Sequence, residues 1–377
     1  MTGFTTRAIH AVENNEKDAI VPPIHLASTF IQPTTGEEGE FEYQRGGNST
    51  RSDVEKTLAQ IEGAEFSYVY ATGMAATQAA MGMVKAGENV LIGMPNYGGN
   101  YRFATIELPK RGAQAKLIGD FSTLSDADFD ENTSMVFLET PANPTLKVSD
   151  IAKISEIAHR HGAIVVVDNT FMTPYLQRPL ELGADITVQS ATKYLAGHGD
   201  LLGGVASTNN PQLAEELWKA QLISGGILSP IDSYRLLQDV KTLALRMERQ
   251  QANAARVIEA VTNHPAVEKV LFAGSASESD AEIHARQAQG IGALFSFTLK
   301  EGKNTKAFLD ALNIFGFAVS LGGIESLICL PATMTQGAYA PEHLEEFGVE
   351  PGLIRVAVGI EDIDDLLTDI TGALDAA

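Results

Sequence analysis

The feature that most constrains the fold is a series of short, β-branched apolar runs separated by helical stretches. The runs occupy residues 90–92, 135–138, 164–167 and 186–188, and a helical period at 151–161 lies between two of them. A run that is apolar on both faces suits a strand of a parallel sheet covered by helices on each side. The pattern therefore predicts an α/β fold with a doubly wound, mostly parallel sheet domain over residues 46–245.

Two further segments flank this predicted domain. Residues 1–45 contain Pro22, Pro23 and Pro33 and show no sustained helical or strand period, so we expect an irregular N-terminal arm. A long amphipathic stretch runs from Tyr234 towards Val261, and strand-like segments follow at 292–299 and 353–358, within residues 246–377. These segments predict a smaller C-terminal α+β domain.

Composition excludes several classes of protein. The 377 residues include 48 acidic and 27 basic side chains, and the net charge of −21 opposes binding to nucleic acid or an anionic membrane. The single cysteine, Cys329, provides neither an intramolecular disulfide nor a thiolate cluster for zinc, and His159 and His161 lack a carboxylate-rich context. With no signal-peptide pattern and no apolar run of about 20 residues, we expect a cytoplasmic protein without metal, membrane or nucleic-acid partners.

Polar residues follow several of the predicted strands, at the edge where open α/β sheets bind ligands. These residues are Gly73, Met74, Tyr97, Asn143, Asp168, Ser190, Thr192 and Lys193. Each alone has an ordinary explanation as a turn, a helix cap or a solvated side chain. Together they match the requirements of one cofactor.

That cofactor is pyridoxal 5′-phosphate (PLP). Its carbonyl needs a lysine for a Schiff base, and its ring nitrogen needs a carboxylate that keeps the nitrogen protonated; Lys193 and Asp168 suit these needs. Its phosphate needs backbone N–H groups at a helix start and hydroxyl donors, which Gly73, Met74, Ser190 and Thr192 provide. Tyr97 is placed where its ring can stack on the pyridine.

Competing motifs are incomplete. Residues 190–193 fit the S-x-x-K nucleophile pattern, but the companion S-D-N and K-T-G motifs are absent. Residues 318–322 approach a hydrolase nucleophile elbow without its first glycine. The sequence also lacks a P-loop and a complete dinucleotide fingerprint, so a hydrolase or nucleotide-binding enzyme is disfavoured.

The motifs at these positions closely resemble those of the Cys/Met metabolism PLP-dependent enzymes. The lysine-site motif is SATKYLAGH at residues 190–198. The others, in order, are YQR at 43–45, NSTR at 48–51, GMAA at 73–76, YGG at 97–99, ETPANP at 139–144, VDNT at 167–170, SLGG at 320–323 and IRVAVG at 354–359. The resemblance thus extends over nearly the whole chain, with one departure at Ser49, where the family usually has proline.

The resemblance implies a PLP-dependent transferase fold of type I and a homotetramer built from two catalytic dimers. In such a dimer, Tyr43 and Arg45 of the arm would contact the cofactor phosphate of the neighbouring subunit. Arg355 would bind the α-carboxylate of an amino-acid substrate, with Asn143 and Ser320 beside it. Catalysis would use Lys193 as the base at Cα, Asp168 at the ring nitrogen and Tyr97 as the acid for the leaving sulfur.

Members of this family differ in the residues that contact the distal end of the substrate. Glu42 and Arg102 resemble positions that favour a zwitterionic thioether such as cystathionine, whereas an apolar Val319 resembles methionine γ-lyase. We expect a carbon–sulfur lyase that converts L-cystathionine to cysteine, 2-oxobutyrate and ammonia by γ elimination. The alternatives are methionine γ-lyase, cystathionine β-lyase, cystathionine γ-synthase, O-acylhomoserine sulfhydrylase and a non-catalytic protein with a PLP-enzyme fold.

Overall fold

The computed structural model describes residues 3–12 and 19–377, so residues 1–2 and 13–18 of the predicted arm lie outside the described part. Its larger sheet contains seven strands in the order β1-β7-β6-β5-β4-β2-β3. They are β1 (Phe66–Tyr70), β2 (Asn89–Gly93), β3 (Gln114–Ile118), β4 (Thr133–Glu139), β5 (Ile164–Asp168), β6 (Ile186–Ser190) and β7 (Gly204–Thr208). Strand β7 is antiparallel to both of its neighbours and the other pairs are parallel, which confirms the predicted α/β sheet.

Alternate residues of the central strands enter two separate cores. In β4, Met135 and Phe137 join the core on one face of the sheet, and Val136 and Leu138 join the core on the other. All four side chains are at most 1% exposed. The unbroken apolar runs of the sequence therefore arise because helices cover both faces of this sheet.

The helices surround and connect the two sheets of the structure. Those before β7 are α1 (Phe4–His10), α2 (Ser49–Glu62), α3 (Gly73–Met81), α4 (Gly98–Arg102), α5 (Leu108–Lys110), α6 (Ile151–Arg160) and α7 (Thr173–Leu176). Those after it are α8 (Pro211–Ser224), α9 (Pro230–Asp239), α10 (Leu243–Thr262), α11 (Glu278–Gln287), α12 (Thr305–Ala311), α13 (Pro341–Glu346) and α14 (Ile363–Asp375). Within the described ranges, no helix combines the length and apolar character of a transmembrane segment.

A smaller sheet follows the long helix α10 and forms the centre of the C-terminal region. Its order is β10-β11-β12-β9-β8, with β8 (Val267–Phe272), β9 (Leu294–Leu299), β10 (Gly316–Phe317), β11 (Leu327–Cys329) and β12 (Ile354–Ala357). Only the β10–β11 pair is parallel. This arrangement agrees with the predicted α+β organisation, while the boundaries 1–45, 46–245 and 246–377 stay predictions.

The expectation that no regular element precedes residue 46 is wrong at α1. This helix has only seven residues, too few for a periodic pattern to show, and its stability comes from packing. Ala8 is buried, Phe4 packs edge-on against Tyr175 with ring centroids 5.1 Å apart, and Arg7 donates to the carbonyl of Gln60 at 2.8 Å. The start of the arm is therefore anchored on α2 of its own chain.

Candidate active site

A cavity of about 320 Å³ opens at the carboxyl ends of the large-sheet strands, beside the smaller sheet. Its lining brings together the residues predicted at strand ends and in the C-terminal region, and also Arg102 of α4. They are Gly73, Met74, Tyr97, Arg102, Asn143, Asp168, Ser190, Thr192, Lys193, Val319, Ser320 and Arg355. The fold thus brings residues that are more than 250 positions apart in the sequence to one site.

Lys193 lies just after β6, and its ammonium nitrogen donates to the hydroxyl of Ser320 at 2.7 Å. Burial is the main cause that lowers the pKa of Lys193 to about 8, and the nearby positive charge of Arg355 lowers it further. A lysine with this pKa is partly neutral near physiological pH. It can therefore act as a nucleophile or as a base, which an ordinary surface lysine cannot do well.

The segment after Lys193 is held by a buried arginine of α10. Arg246, which is 5% exposed, donates to the backbone carbonyls of Tyr194 at 2.5 Å and Leu195 at 3.1 Å. Gly197 adopts a φ of 75°, and a Cβ at this residue would lie 2.0 Å from a guanidinium nitrogen of Arg246. The glycine of the lysine-site motif is therefore required both by its backbone angle and by this close approach.

Asp168 ends β5 at the floor of the cavity. Its Oδ1 accepts hydrogen bonds from the backbone N–H of Thr170 at 3.0 Å and from the Thr170 hydroxyl at 2.6 Å. Burial raises the pKa of Asp168, while these two donors oppose the rise because they stabilise the ionised form. The carboxylate is thus fixed in place and poised to interact with a positive partner.

Glu139 is a lining residue to which the sequence analysis gave no role. It ends β4 directly beside Asp168 of β5, and its Oε2 accepts the backbone N–H of Tyr97 at 2.8 Å. Burial raises the pKa of Glu139 well above its usual value, and the neighbouring Asp168 raises it further. The rule that selected Asp168, a polar residue directly after an apolar strand, would also have found Glu139.

The opposite end of the cavity is formed by the start of α3 and the end of β6. Thr72 caps α3 by accepting from the backbone N–H of Ala75 at 3.1 Å. A Cβ on Gly73 would lie 2.8 Å from Cβ of Ser190, so only glycine allows this approach. The result is a cradle of backbone N–H groups at the start of α3 and the hydroxyl of Ser190, which suits an anion such as a phosphate. The hydroxyl of Thr192 lies at the same edge of the cavity and exchanges hydrogen bonds with the backbone of Gly203, at 3.3 and 3.0 Å.

Arg355 in β12 closes the site from the side of the smaller sheet. Its guanidinium donates to Oδ1 of Asn143 at 2.9 Å and to the backbone carbonyl of Ser320 at 3.0 Å, and the residue is 2% exposed. Ser320 has a φ of 93°, a strained value for a residue with a side chain. Ser320 is also the residue that contacts Lys193, and it has the largest positive φ among the described non-glycine residues.

The mouth of the cavity combines apolar and charged side chains. Tyr97 is 41% exposed and Val319 is 52% exposed, and Arg102 at the end of α4 lines the same opening. Glu42, Tyr43 and Arg45 do not line the cavity of their own chain. Tyr43 and Arg45 lie together on the arm surface, with the guanidinium carbon 5.3 Å from the ring centroid.

Comparisons with known proteins agree with this geometry. The family model for Cys/Met metabolism PLP-dependent enzymes matches residues 5–375. The chain belongs to this family. Its relatives include a cystathionine β-lyase of Lactococcus lactis subsp. cremoris (strain MG1363), 42% identical with 100% of both chains covered. They also include a cystathionine γ-lyase of Bacillus subtilis (strain 168), 41% identical with 98% of both chains covered.

Solved structures of the family have the same fold. The cystathionine γ-synthase of Xanthomonas oryzae pv. oryzae, in complex with aminoacrylate and cysteine, has a TM-score of 0.95 and 35% identity to this chain. The similarity covers 100% of this chain and 98% of the other. The resemblance seen in the sequence is thereby confirmed, as are the fold class, the dependence on PLP and the assignment as an enzyme of Cys/Met metabolism.

The residues present fit the PLP cofactor of the family. Besides the cradle at Gly73, the cavity contains Asn100, which is 1% exposed; its side chain favours the ionised form of Asp168, and its amide oxygen lacks a hydrogen-bond partner. A buried amide oxygen without a partner carries a free-energy penalty that a polar ligand would relieve. Within residues 3–12 and 19–377, no group of three or more His, Cys, Asp or Glu residues is placed to hold a metal ion.

Proposed function

We propose that the protein cleaves L-cystathionine by γ elimination and releases cysteine, 2-oxobutyrate and ammonia. The observation that carries this proposal is the pair of arginines, Arg355 and Arg102, that line one cavity together with Lys193. Cystathionine carries a carboxylate at each end, so two cationic side chains match it better than they match methionine, which has one.

Arg355 is suited to bind the α-carboxylate of the substrate. Its guanidinium is oriented by Asn143 and by the carbonyl of Ser320, and it is well removed from water. A planar, bidentate donor in such a site fixes both the position and the direction of the substrate. Cα of the bound substrate would then face Lys193. The ammonium nitrogen of Lys193 donates to the hydroxyl of Ser320, the residue whose carbonyl orients Arg355.

Lys193 would remove the proton from Cα and return protons in later steps, because its lowered pKa of about 8 leaves a neutral fraction available. When bound, PLP withdraws electrons from the substrate carbon, and Asp168 would hold the proton at its ring nitrogen. Gly73, Met74, Ser190 and Thr192 would bind the phosphate. The hydroxyl of Tyr97, at the cavity mouth, would donate a proton to the leaving sulfur.

Other activities of the family have some support. The 42% identical relative named a β-lyase favours β elimination of the same substrate, and the apolar Val319 at the cavity mouth favours a substrate with an uncharged end such as methionine. The structural relative named a γ-synthase favours a replacement reaction in which a thiol is added. Each alternative uses the same lysine, cofactor and Arg355.

We also propose that the functional unit is a cytoplasmic homotetramer of two catalytic dimers. The arm exposes apolar side chains that a partner would cover, among them Ile20, Leu26 and Ile31 at 97%, 64% and 100% exposure. Tyr43, Arg45 and Glu42 lie on the same arm, outside the cavity of their own chain. These residues would complete the phosphate and distal substrate sites of a neighbouring subunit.

The role of Arg102 is tested by an Arg102→Leu variant. We expect KM for L-cystathionine to rise about 10- to 100-fold, as for the loss of one charged hydrogen bond, while KM for L-methionine changes less than about twofold. Arg256→Leu is the control, because Arg256 is an exposed arginine of α10 outside the cavity. Equal effects on both substrates, or no effect on cystathionine, would contradict a distal carboxylate site at Arg102.

A further inference from the structure

A segment of the C-terminal region, residues 331–340, packs over two loops of the large-sheet domain. One loop follows β2 and carries Tyr97; the other follows β4 and carries Asn143. Gln336 is fully buried between them, and its Nε2 donates to the backbone carbonyls of Asn96 and Asn143, each at 3.1 Å. One amide group therefore links the two loops.

The orientation of this amide is fixed by its other end. The hydroxyl of Thr335 donates to Oε1 of Gln336, which leaves both N–H groups of the amide for the two carbonyls. The reversed orientation would place the amide oxygen against two carbonyl oxygens and leave the N–H groups beside a hydroxyl. Only the observed orientation gives each N–H donor of the Gln336 side chain a hydrogen-bond acceptor.

Two neighbouring contacts hold the same loop from the same segment. Tyr339 donates through its hydroxyl to the carbonyl of Asn96 at 2.7 Å and accepts the Asn96 backbone N–H at 2.9 Å. Gly98 lies so close that a Cβ would be 2.3 Å from the carbonyl of Thr335. Tyr339 also stacks on Tyr101 of α4, with ring centroids 4.2 Å apart. Of the two loops, its hydroxyl hydrogen-bonds only to the Tyr97 loop, whereas Gln336 hydrogen-bonds to both.

We propose that Gln336 is a positioning residue that sets the separation between Tyr97 and the Asn143–Arg355 pair. It does not line the cavity, and it acts on the two loops through their backbone carbonyls; its only other polar side-chain contact among the described residues is with Thr335, which lines the cavity. This inference rests on the proposed roles of Tyr97 at the cofactor ring and Arg355 at the substrate carboxylate. Beyond those roles, the Gln336 side chain would set the distance between Tyr97 and Arg355.

The contacts predict different effects for Gln336→Ala and Tyr339→Phe. Gln336→Ala removes the donor to the Asn143 carbonyl, so Arg355 loses a fixed partner and amino-acid binding weakens. Tyr339→Phe disturbs only the loop of Tyr97, so the cofactor environment changes while carboxylate binding is retained. Both substitutions remove buried hydrogen bonds and are expected to lower the melting temperature to a similar extent.

The experiment uses the purified holoenzymes and L-alanine as the probe. L-alanine has the α-amino and α-carboxylate groups but no leaving group, so its binding, followed by cofactor absorbance, does not depend on which sulfur compound is the substrate. We expect Gln336→Ala to raise the Kd of L-alanine about tenfold or more and Tyr339→Phe to change it less than about twofold. Circular dichroism of the cofactor band should change in both variants.

Gln336→Glu adds a pH-dependent readout. A carboxylate has the same shape as the amide but faces two carbonyls without a donor, and protonation restores one donor. The ratio of wild-type to variant Kd for L-alanine should therefore rise at least about threefold from pH 8.5 to pH 6.5. The same ratio for Gln336→Ala should stay flat, since alanine cannot titrate.

The proposal is overturned if Gln336→Ala lowers the melting temperature but leaves the Kd of L-alanine and the dichroism of the cofactor unchanged. It is also overturned if Tyr339→Phe weakens L-alanine binding as much as Gln336→Ala. Both substitutions would then act by destabilising the whole segment at residues 331–340, and Gln336 would have no specific effect on Arg355. Absence of cystathionine turnover in the wild type would refute the proposed substrate and leave the L-alanine result interpretable.

Discussion

Burial governs the charge state of the ionisable side chains near the site. Lys193 is shifted towards its neutral form, and Glu139 and Asp168 are shifted towards their protonated forms. Each shift has the same first cause, removal of the charged form from water. Hydrogen bonds from Thr170 favour ionisation of Asp168, whereas Asp168 itself opposes ionisation of Glu139. Of the two carboxyls, Asp168 is therefore the one suited to carry the negative charge.

A third carboxyl, Glu62, predicts how stability depends on pH. It is fully buried and contacts the amide of Gln189, and burial raises its pKa from 4.5 to about 8. Between these values the unfolded chain releases the proton while the folded chain keeps it, so stability falls as pH rises from 4.5 to 8. Glu62→Gln should remove this loss and be more stable than the wild type at pH 8 by a few kcal/mol.

Urea unfolding at pH 5 and pH 8 measures this difference. Glu65→Gln is the matched control, because Glu65 lies three residues away and is exposed. We expect the control to follow the wild type at both pH values. If the free energy of unfolding depended on pH in the same way for Glu62→Gln and for the wild type, Glu62 would not retain its proton in the folded protein.

At the scale of elements, strands with apolar residues on both faces could be predicted, whereas a strand with little apolar signal and a break within a long helical pattern could not. Strands β2, β4, β5 and β6 were evident because both of their faces are buried. Strand β7, with the sequence GVAST, carries little apolar signal, and its pairing with β1 and β6 depends on tertiary packing. The stretch from Tyr234 to Val261 reads as one helix but is divided by a 3₁₀ turn at Val240–Thr242.

The start of α3 gives a prediction about cofactor binding. Alanine is normally favoured over glycine within a helix by up to about 1 kcal/mol. At Gly73 this gain is outweighed, because the added Cβ would lie 2.8 to 3.0 Å from three atoms of Ser190. Gly73→Ala should weaken the affinity of the apoenzyme for PLP about tenfold or more.

Titration of the apoenzyme with PLP, followed by absorbance, checks this expectation. Gly372→Ala in α14 is the control, because a Cβ there meets no atom within 4 Å. That variant should bind PLP normally and be equally or slightly more stable. Normal affinity in Gly73→Ala would contradict a phosphate cradle that depends on the contact between α3 and β6.

At the scale of the whole molecule, the arm residues require a second subunit if they act at the cofactor. Arg45→Ala and Lys193→Ala should each reduce activity severely on their own. If Arg45 reaches across the interface, a dimer with one chain of each variant contains one site in which both Lys193 and Arg45 are native. The other site of that dimer lacks both residues. Co-refolding the two variants in equal amounts should then restore about a quarter of the wild-type activity.

Activity of the separate variants provides the baseline for this complementation. Mixing after separate refolding is the control, since stable oligomers would not exchange subunits. No recovery after co-refolding would mean that Arg45 does not serve the site of a neighbouring chain. It would also remove the support that the exposed arm gives to the proposed assembly.

The part of the candidate site at the strand ends of the large sheet could be predicted from the sequence alone, whereas Arg102, Val319, Ser320 and Arg355 followed from the family resemblance. A lysine, an aspartate and a glycine that follow apolar runs are brought to one edge by the topology of a parallel sheet. Glu139 obeys the same rule but was not given a role. Gln336 could not have been found in this way, since it follows no core strand and acts through backbone carbonyls of residues 240 and 193 positions away.

The most direct test of the whole account is the ratio of the two keto acids that the holoenzyme forms from L-cystathionine. γ Elimination releases 2-oxobutyrate with cysteine, and β elimination releases pyruvate with homocysteine. The account predicts 2-oxobutyrate in clear excess, with no turnover in Lys193→Ala. Pyruvate in excess would make the enzyme a β-lyase, and no keto acid from cystathionine would contradict the two-carboxylate substrate inferred from Arg355 and Arg102.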